Sequence, residues 1–128
     1  MNENNHADTT PERRAEGLEI MRKVYGWDQA GSGTGDFHVM TVEHLFAEVW
    51  SREGISDRDR RLLLIGLLLG QGLDEELTRH LDAALRTRDL TPDELREITV
   101  FITHYAGWPR GARLNSQVED LIERLNRD

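Results

Sequence analysis

The sequence predicts an all-α protein, a single-domain bundle of about six helices. Apolar residues recur at helical spacing, and no segment alternates with the two-residue period of a strand. Short breakers and helix-start signals separate the periodic segments. The chain has 128 residues, a length that suits one domain with a buried core. We expect residues 1–9 to form a mobile tail and residues 10–128 to form one helical domain.

The first two helices are predicted from their caps. Thr10 followed by Pro11 opens a helix that runs to about Tyr25. The glycine-rich stretch 28–37 follows no strand and lacks the spacing of a phosphate-binding loop, so we interpret it as a linker. Thr41 is predicted to cap a short second helix. Its apolar face is expected to comprise Val42, Leu45, Phe46, Val49 and Trp50.

The third helix is expected to be the central, buried one. Ser56 with Asp59 resembles a capping box and starts a helix through about Gly70. After Arg61 its apolar residues cover nearly the whole circumference, which is typical of a helix surrounded by others.

Three further helices complete the bundle. The fourth runs from about Asp74 to Arg86, and the stretch 91–94, "TPDE", opens a fifth that ends at Tyr105 or Ala106. We expect Gly107 to take a left-handed stop and Pro109 to open a last helix, through about 125.

The composition of the chain excludes or disfavours several classes of function. A formal net charge of −8 disfavours nucleic acid and anionic membranes as partners. The chain has no cysteine, which excludes thiol chemistry and cysteine metal sites. The apolar run from Leu62 to Leu69 is far shorter than the ~20 residues of a membrane span. The polar start resembles no signal peptide, so we expect a cytoplasmic protein.

Several short motifs follow one another in a recognisable order. They are Trp50, Arg52 and Gly54 in "W-S-R-x-G", Arg60 with Leu62, Glu76, Leu77 and His80 in "E-L-x-x-H", Glu97, and Tyr105, Ala106, Gly107 and Pro109. Together they resemble the carboxymuconolactone decarboxylase family, which shares its fold with the alkyl hydroperoxidase D-like proteins. The resemblance spans roughly Arg13 to Leu121. It implies helical protomers that assemble into a ring, commonly a homotrimer or homohexamer, with active sites at or near subunit contacts.

The resemblance also separates two branches of the fold. Counted back from His80, the cysteine pair of the peroxidase branch would fall at Leu73 and Glu76, so this chain is not a thiol peroxidase. The remaining branch implies a carbon–carbon lyase that decarboxylates a small anionic lactone, such as 4-carboxymuconolactone, in aromatic-compound catabolism. No cofactor is implied, because the unsaturated lactone itself accepts the electron pair that CO₂ leaves behind.

The candidate catalytic residues lie in the fourth helix. His80 is our candidate proton donor or acceptor, since the ordinary pKa of imidazole is near 6.5. Glu76, one turn earlier, could orient the ring, or it could be a solvated carboxylate on the helix surface. Arg52 and Arg60 are candidates for binding the substrate carboxylate, because the guanidinium fork matches that group. A structural role, such as pairing of Arg60 with Glu97, is the alternative.

Two aromatic candidates complete the predicted site. Trp50 is interpreted as core or as a pocket wall. His104 could replace a histidine that many family members have at the position of Phe101, or it could point elsewhere. Tyr105 is in phase with the apolar residues of its helix, so we expect its ring in the core. No set of histidines and carboxylates has the spacing of metal ligands, so we expect no metal.

The chain departs from the family pattern around the expected pocket. Arg61 stands where the family usually has a small residue, and Arg110 where alanine is usual. The stretch 86–90, "RTRDL", replaces an Asn-Gly turn, with Arg88 or Asp89 expected to take the turn. These departures put the reference lactone in question as the substrate.

A second function remains open. The same ring oligomer could bind a small molecule without catalysis, in which case His80 would be sealed in core packing. An enzyme would instead bring His80, Arg52 and Arg60 to one pocket.

Overall fold

The computed structural model describes residues 10–26 and 35–128, and within these ranges every regular element is helical. The all-α prediction is therefore confirmed. The predicted tail at 1–9, and most of the predicted linker, lie outside the described residues.

Six helices occur in the described ranges when a π-helical continuation of the second is counted with it. They are α1 (Pro11–Tyr25), α2 (Asp36–Met40, continued directly by the π-helical stretch Thr41–Val49), α3 (Asp57–Gln71), α4 (Asp74–Thr87), α5 (Pro92–Ala106) and α6 (Trp108–Arg127). They fall into two compact units, one formed by the described residues up to Ile55 and the other by Ser56–Asp128. One domain over 10–128 stays a prediction.

Three helix starts are capped as the sequence predicts. The hydroxyl of Thr10 accepts the Arg13 N–H at 3.1 Å, and that of Ser56 accepts the Asp59 N–H at 3.0 Å. Thr91 and Glu94 form a complete capping box, with bonds of 3.1 and 2.9 Å. Each cap satisfies backbone donors that a helix start otherwise leaves without a partner.

Replacing the capping threonine of α5 should lower stability measurably. We expect Thr91→Ala to reduce the free energy of unfolding by about 1 kcal/mol, because the Glu94 N–H loses its acceptor. Urea titration followed by circular dichroism measures the change. Thr91→Ser keeps the hydroxyl and should remain close to wild type, and equal losses in both variants would contradict this role of the hydroxyl.

The start of the second helix was predicted wrongly. The helix begins at Asp36 after Gly35, whose φ of 92° few other residues adopt. Thr41 lies inside it, and its hydroxyl donates to the Phe37 carbonyl at 2.8 Å. A threonine that bonds back to the preceding turn satisfies its hydroxyl without ending or starting a helix.

The π-helical winding also changes the buried face. Val42, Phe46 and Trp50, four residues apart, are buried, whereas Leu45 and Val49 are 41% and 36% exposed. A π-helix bonds each N–H to the carbonyl five residues back, so its turn holds more residues than an α-helical turn. The predicted face assumed α-helical winding and therefore included two residues that point outward.

The first unit is held together by the contact of α1 with the π-helical stretch. A Cβ atom added to Gly17 would lie 2.0 Å from the Val42 carbonyl oxygen, so the two backbones nearly touch. The carboxylate of Glu43 is buried at the same contact, and its Oε1 accepts the Thr10 N–H at 3.3 Å. Arg13 donates to the Glu43 carbonyl at 2.9 Å, which ties the start of α1 to the same segment.

In the second unit α3 buries one side rather than its whole circumference. Ile65 and Leu69 are buried, but Leu63 and Leu67 are 66% and 54% exposed in the chain. The expectation of a fully surrounded helix is wrong for these two leucines, because α4, α5 and α6 all pack on the other side. Their exposure leaves an apolar strip on α3.

The core of the second unit is a single apolar cluster. Its buried members are Ile65, Leu68, Leu69, Leu77, Leu81, Ala84, Leu85, Leu90, Leu95, Leu114, Val118, Leu121 and Ile122. Helices α5 and α6 meet at Gly111, where an added Cβ would lie 2.1 Å from the Thr103 hydroxyl oxygen. The cluster fixes the positions of α3 and α4, which bring the buried polar residues together.

The helix ends explain two of the departures from the family pattern. Arg88 takes the turn after α4, with φ 64° and ψ 22° in the left-handed region. Arg110 donates to the carbonyls of Leu69, at 2.9 Å, and Gly70, so it caps the C-terminus of α3. Gly107 has a positive φ of 103°, but its ψ of 150° is extended, so the predicted left-handed stop is wrong in detail.

Candidate active site

A buried polar pair joins α3 to α4. His80 is 5% exposed and Arg61 is completely buried, and Arg61 Nη1 lies 2.8 Å from His80 Nδ1. A guanidinium has no acceptor atom, so Arg61 donates and Nδ1 accepts. The single hydrogen of a neutral imidazole is then on Nε2.

The guanidinium has a second partner beyond the helix ends. Arg61 Nη2 lies 3.3 Å from Asp89 Oδ2, and the Asp89 side chain is 23% exposed. Asp89 follows the left-handed Arg88, and its N–H donates weakly to the Thr87 hydroxyl at 3.4 Å. The turn that replaces the family's Asn-Gly therefore places a carboxylate against the buried arginine.

The surroundings of His80 favour its neutral form. Burial, together with the positive charge of Arg61, lowers the pKa of His80 from 6.5 to about 4. Glu76 acts in the opposite direction and Arg79 adds to the lowering, but both effects are smaller than burial. At neutral pH the imidazole is uncharged and has both a donor and an acceptor nitrogen.

The other motif residues of this unit lie nearer the surface. Glu76 Oε1 is 3.2 Å from Arg79 Nη1, and both side chains are half exposed. Arg60 Nη1 lies 3.5 Å from Asp57 Oδ1, with its own side chain 14% exposed. Glu76 thus contributes charge near His80, whereas the predicted roles of both residues in catalysis and binding stay predictions.

Two predicted binding residues belong to the first unit. Trp50 is buried there and stacks on Phe46, with ring centroids 6.1 Å apart. Arg52 has an exposed side chain, and its N–H donates to the Val49 carbonyl at 3.2 Å. Their predicted roles in substrate binding stay predictions.

His104 lies in an open pocket between α5 and α6. Its Nδ1–H donates to the Val100 carbonyl at 2.7 Å, and its ring meets Trp108 edge-on at 6.2 Å. The pocket has a volume of about 310 Å³ and is lined by Thr99, Val100, Thr103, His104, Trp108, Gly111, Ala112 and Asn115. His80 is not among these lining residues, so the substitution of a family ring by His104 stays a prediction.

Tyr105 does not join the core as its phase predicted. Its side chain is 79% exposed, and its ring packs beside that of Phe101 at 5.4 Å. Leu95 is buried and Ile102 partly so, because they lie on the side of α5 that meets the apolar cluster. Ala106, in the same last turn, also packs against that cluster, so Tyr105 lies on the other side of the helix.

The sequence does not single out Arg61 as a site residue, because the family usually has a small residue at its position. The missed signal was a charge directly before an eight-residue apolar run, since a buried charge requires a partner. That partner, Asp89, is 28 positions away, so no local pattern links the two residues.

Residues 10–26 and 35–128 contain no group of three or more histidine and carboxylate side chains arranged to hold a metal ion. Over the same part of the chain, no helix is long and apolar enough to cross a membrane.

Comparison with known proteins is consistent with the motif order. Over 121 residues the chain is 30% identical to a 4-carboxymuconolactone decarboxylase of Acinetobacter baylyi, covering 89% of this chain and 90% of the relative. It is 28% identical over 101 residues to a nitrosuccinic acid decarboxylase of Metarhizium robertsii, covering 73% of this chain and 70% of the relative. No solved structure matches. Residues 36–119 match the model of the carboxymuconolactone decarboxylase family, and the chain belongs to that family.

Proposed function

We propose that the protein is a cofactor-free decarboxylase of a small anionic acid, of which a 4-carboxymuconolactone-like lactone is the reference. The observation that supports it most is the buried His80–Arg61 pair in a chain of this family. A polar pair enclosed in an apolar bundle lowers stability compared with a well-packed apolar core, so its presence favours a chemical role.

The compounds in the two relatives' names have chemistry in common. In 4-carboxymuconolactone the departing carboxylate is on the saturated γ-carbon of the ring, from which the electron pair reaches the lactone carbonyl through the ring double bond. In nitrosuccinic acid a carboxylate is next to the carbon that bears the nitro group. Both compounds are dicarboxylic acids, and both contain their own electron acceptor. We infer a substrate with two features, a second anionic group and a conjugated acceptor next to the departing carboxylate.

For this reaction the protein has to position the substrate and to stabilise the negative charge that develops on its acceptor oxygen. The carbon–carboxylate bond breaks, CO₂ leaves, and the electron pair moves into the acceptor oxygen. A proton from water then adds to carbon. His80 provides a hydrogen bond or a proton at the acceptor, and Arg60 binds the remaining carboxylate. Glu76 adjusts the charge near His80. The roles of Arg52 and Trp50 rest on the motifs alone, and that of His104 on its position one helical turn from Phe101.

The remaining expectations belong to the same proposal. We infer a homotrimeric or homohexameric ring, supported by the family and by the exposed Leu63 and Leu67 on α3. We also propose a role in aromatic-compound catabolism, as the family resemblance implies, and a cytoplasmic location. We expect no cofactor, metal, nucleic-acid or membrane partner.

A direct assay of the purified full chain tests the proposal. We expect CO₂ release from 4-carboxymuconolactone or from nitrosuccinic acid, and a roughly hundredfold or larger loss of kcat in His80→Ala. His44→Ala is the matched control, because His44 is exposed and pairs with Glu48, four residues further along the same helix, at 2.7 Å. The control should retain wild-type turnover.

One observation favours the non-catalytic alternative. His80 is only 5% exposed, as expected of a histidine sealed in packing. Calorimetric binding of a lactone acid without any turnover, with His80→Ala equal to wild type, would favour this alternative and overturn the proposal.

A further inference from the structure

The Arg61–Asp89 pair is in direct contact with His80. Arg61 reaches His80 Nδ1 at 2.8 Å with one nitrogen and Asp89 Oδ2 at 3.3 Å with another. The guanidinium is planar and rigid, so anchoring one nitrogen also directs the other. The three side chains come from α3, α4 and the turn between α4 and α5, and the apolar cluster fixes all three segments.

The contact permits only one form of the imidazole. If Nδ1 had a hydrogen, two N–H groups would face each other at 2.8 Å, which is repulsive. A protonated ring would add a second positive charge beside a buried guanidinium. Only the neutral ring with its hydrogen on Nε2 accepts the bond from Arg61.

We propose that Arg61, anchored by Asp89, is a positioning residue that holds His80 neutral with its hydrogen on Nε2, so that the ring acts on the substrate as a hydrogen-bond donor. This inference rests on the proposed function. During decarboxylation the bond from carbon to the carboxylate breaks, and its electron pair ends on the acceptor oxygen of the substrate. The Nε2–H stabilises that oxygen as its negative charge grows, and the proton that finally adds to carbon comes from water.

At this buried site, a neutral hydrogen-bond donor suits the step better than a charged imidazolium would. Charge develops on the substrate only as CO₂ leaves, so a fixed neutral dipole stabilises the transition state more than the ground state. The charged groups that act on the ring are Arg61, Glu76 and Arg79. Asp89 balances the charge of Arg61, because its Oδ2 lies 3.3 Å from Arg61 Nη2.

The tautomer of His80 can be measured without any substrate. Nitrogen-15 NMR of the imidazole in the full-length wild-type protein should show hydrogen on Nε2 and none on Nδ1 between pH 6 and 8. A signal from Nδ1–H, or a protonated ring at pH 7, would overturn the proposal even if no variant folds.

Variants extend the test to catalysis. Arg61→Met keeps the bulk but removes both bonds, and it should give a mixture of tautomers and a His80 titration closer to pH 6.5. With substrate, kcat should fall roughly a hundredfold with little change in KM, because the lost interaction belongs to the transition state. Arg61→Lys, which can still donate to Nδ1, should restore the Nε2–H form and part of kcat. Arg96→Met removes an exposed arginine that binds Glu119 at 2.9 Å and should match wild type.

The two proposals fail in distinguishable ways. If no acid is decarboxylated but the Nε2–H form depends on Arg61, the proposed function fails and the control of the tautomer stands. If acids are decarboxylated but Arg61→Met leaves tautomer, titration and kcat unchanged, Arg61 is not a positioning residue.

Discussion

Gly17→Ala is expected to destabilise the first unit by about 3 kcal/mol or more. The new methyl group would lie 2.0 Å from the Val42 carbonyl oxygen and 2.8 Å from its carbonyl carbon. These are backbone atoms of a helix, so they cannot turn aside as a flexible side chain can. The helices must separate, which loosens the packing around Val42 and Phe46.

The control is a glycine with open space around it. Gly66 lies within α3 and has no atom within 4 Å of an added Cβ, so Gly66→Ala should raise stability by up to about 1 kcal/mol through helix propensity. Urea unfolding followed by far-ultraviolet circular dichroism, with amide exchange at Val42 as the local probe, measures both variants. Similar stability for Gly17→Ala and Gly66→Ala would rule out the close backbone contact.

Acidification is expected to cost the folded state about 3 kcal/mol through His80 alone. The pKa of His80 is about 4 in the folded chain and 6.5 as the ordinary value, so the unfolded chain binds the proton first. The stability that His80 contributes is fully present above pH 6.5. It falls steadily as the pH drops to 4 and changes no further below pH 4. Burial of the ring is the largest cause of the lowered pKa, and Arg61 and Arg79 add to it while Glu76 opposes it.

Urea titrations at a series of pH values measure this dependence. His80→Gln should flatten the decline between pH 6.5 and 4, since glutamine does not titrate and its carbonyl can accept from Arg61. His104→Gln is the control, because His104 is exposed, and it should keep the wild-type slope. The carboxylates whose pKa values are lowered, such as Glu94 and Glu119, act mainly below their ordinary value of 4.5. An unchanged slope in His80→Gln would mean that His80 is not held neutral by the fold.

The helix limits could be predicted where the signal is local. Thr10, Ser56 and Thr91 cap their helices because the hydroxyl, the backbone donor and the connecting residues are all within one turn. Thr41 has the same chemistry but lies inside a longer helix, where the carbonyl of Phe37 satisfies it. A cap residue indicates a helix start only when the preceding residues are not themselves helical.

The candidate site was predictable in part. His80 is identified by its motif and is buried on α4, but its partner Arg61 comes from α3 and the anchor Asp89 from the next turn. Those contacts are made through tertiary packing, and periodicity within one helix does not encode them. The exposure of Leu63 and Leu67 has a related cause: apolar periodicity shows that a helix is apolar on several sides, but not on which sides other helices of the chain pack.

The π-helical stretch has a consequence for spectroscopy. In an α-helix, residues four apart drift around the axis by about 40°, so residues 42, 46 and 50 would gradually leave a common line. With the wider winding of Thr41–Val49, the rings of Phe46 and Trp50 form a stack with planes only 15° apart. A change from π to α winding would unstack the pair while the segment stayed helical. The near-ultraviolet circular dichroism signal of Trp50 should therefore report a change in the winding of this helix.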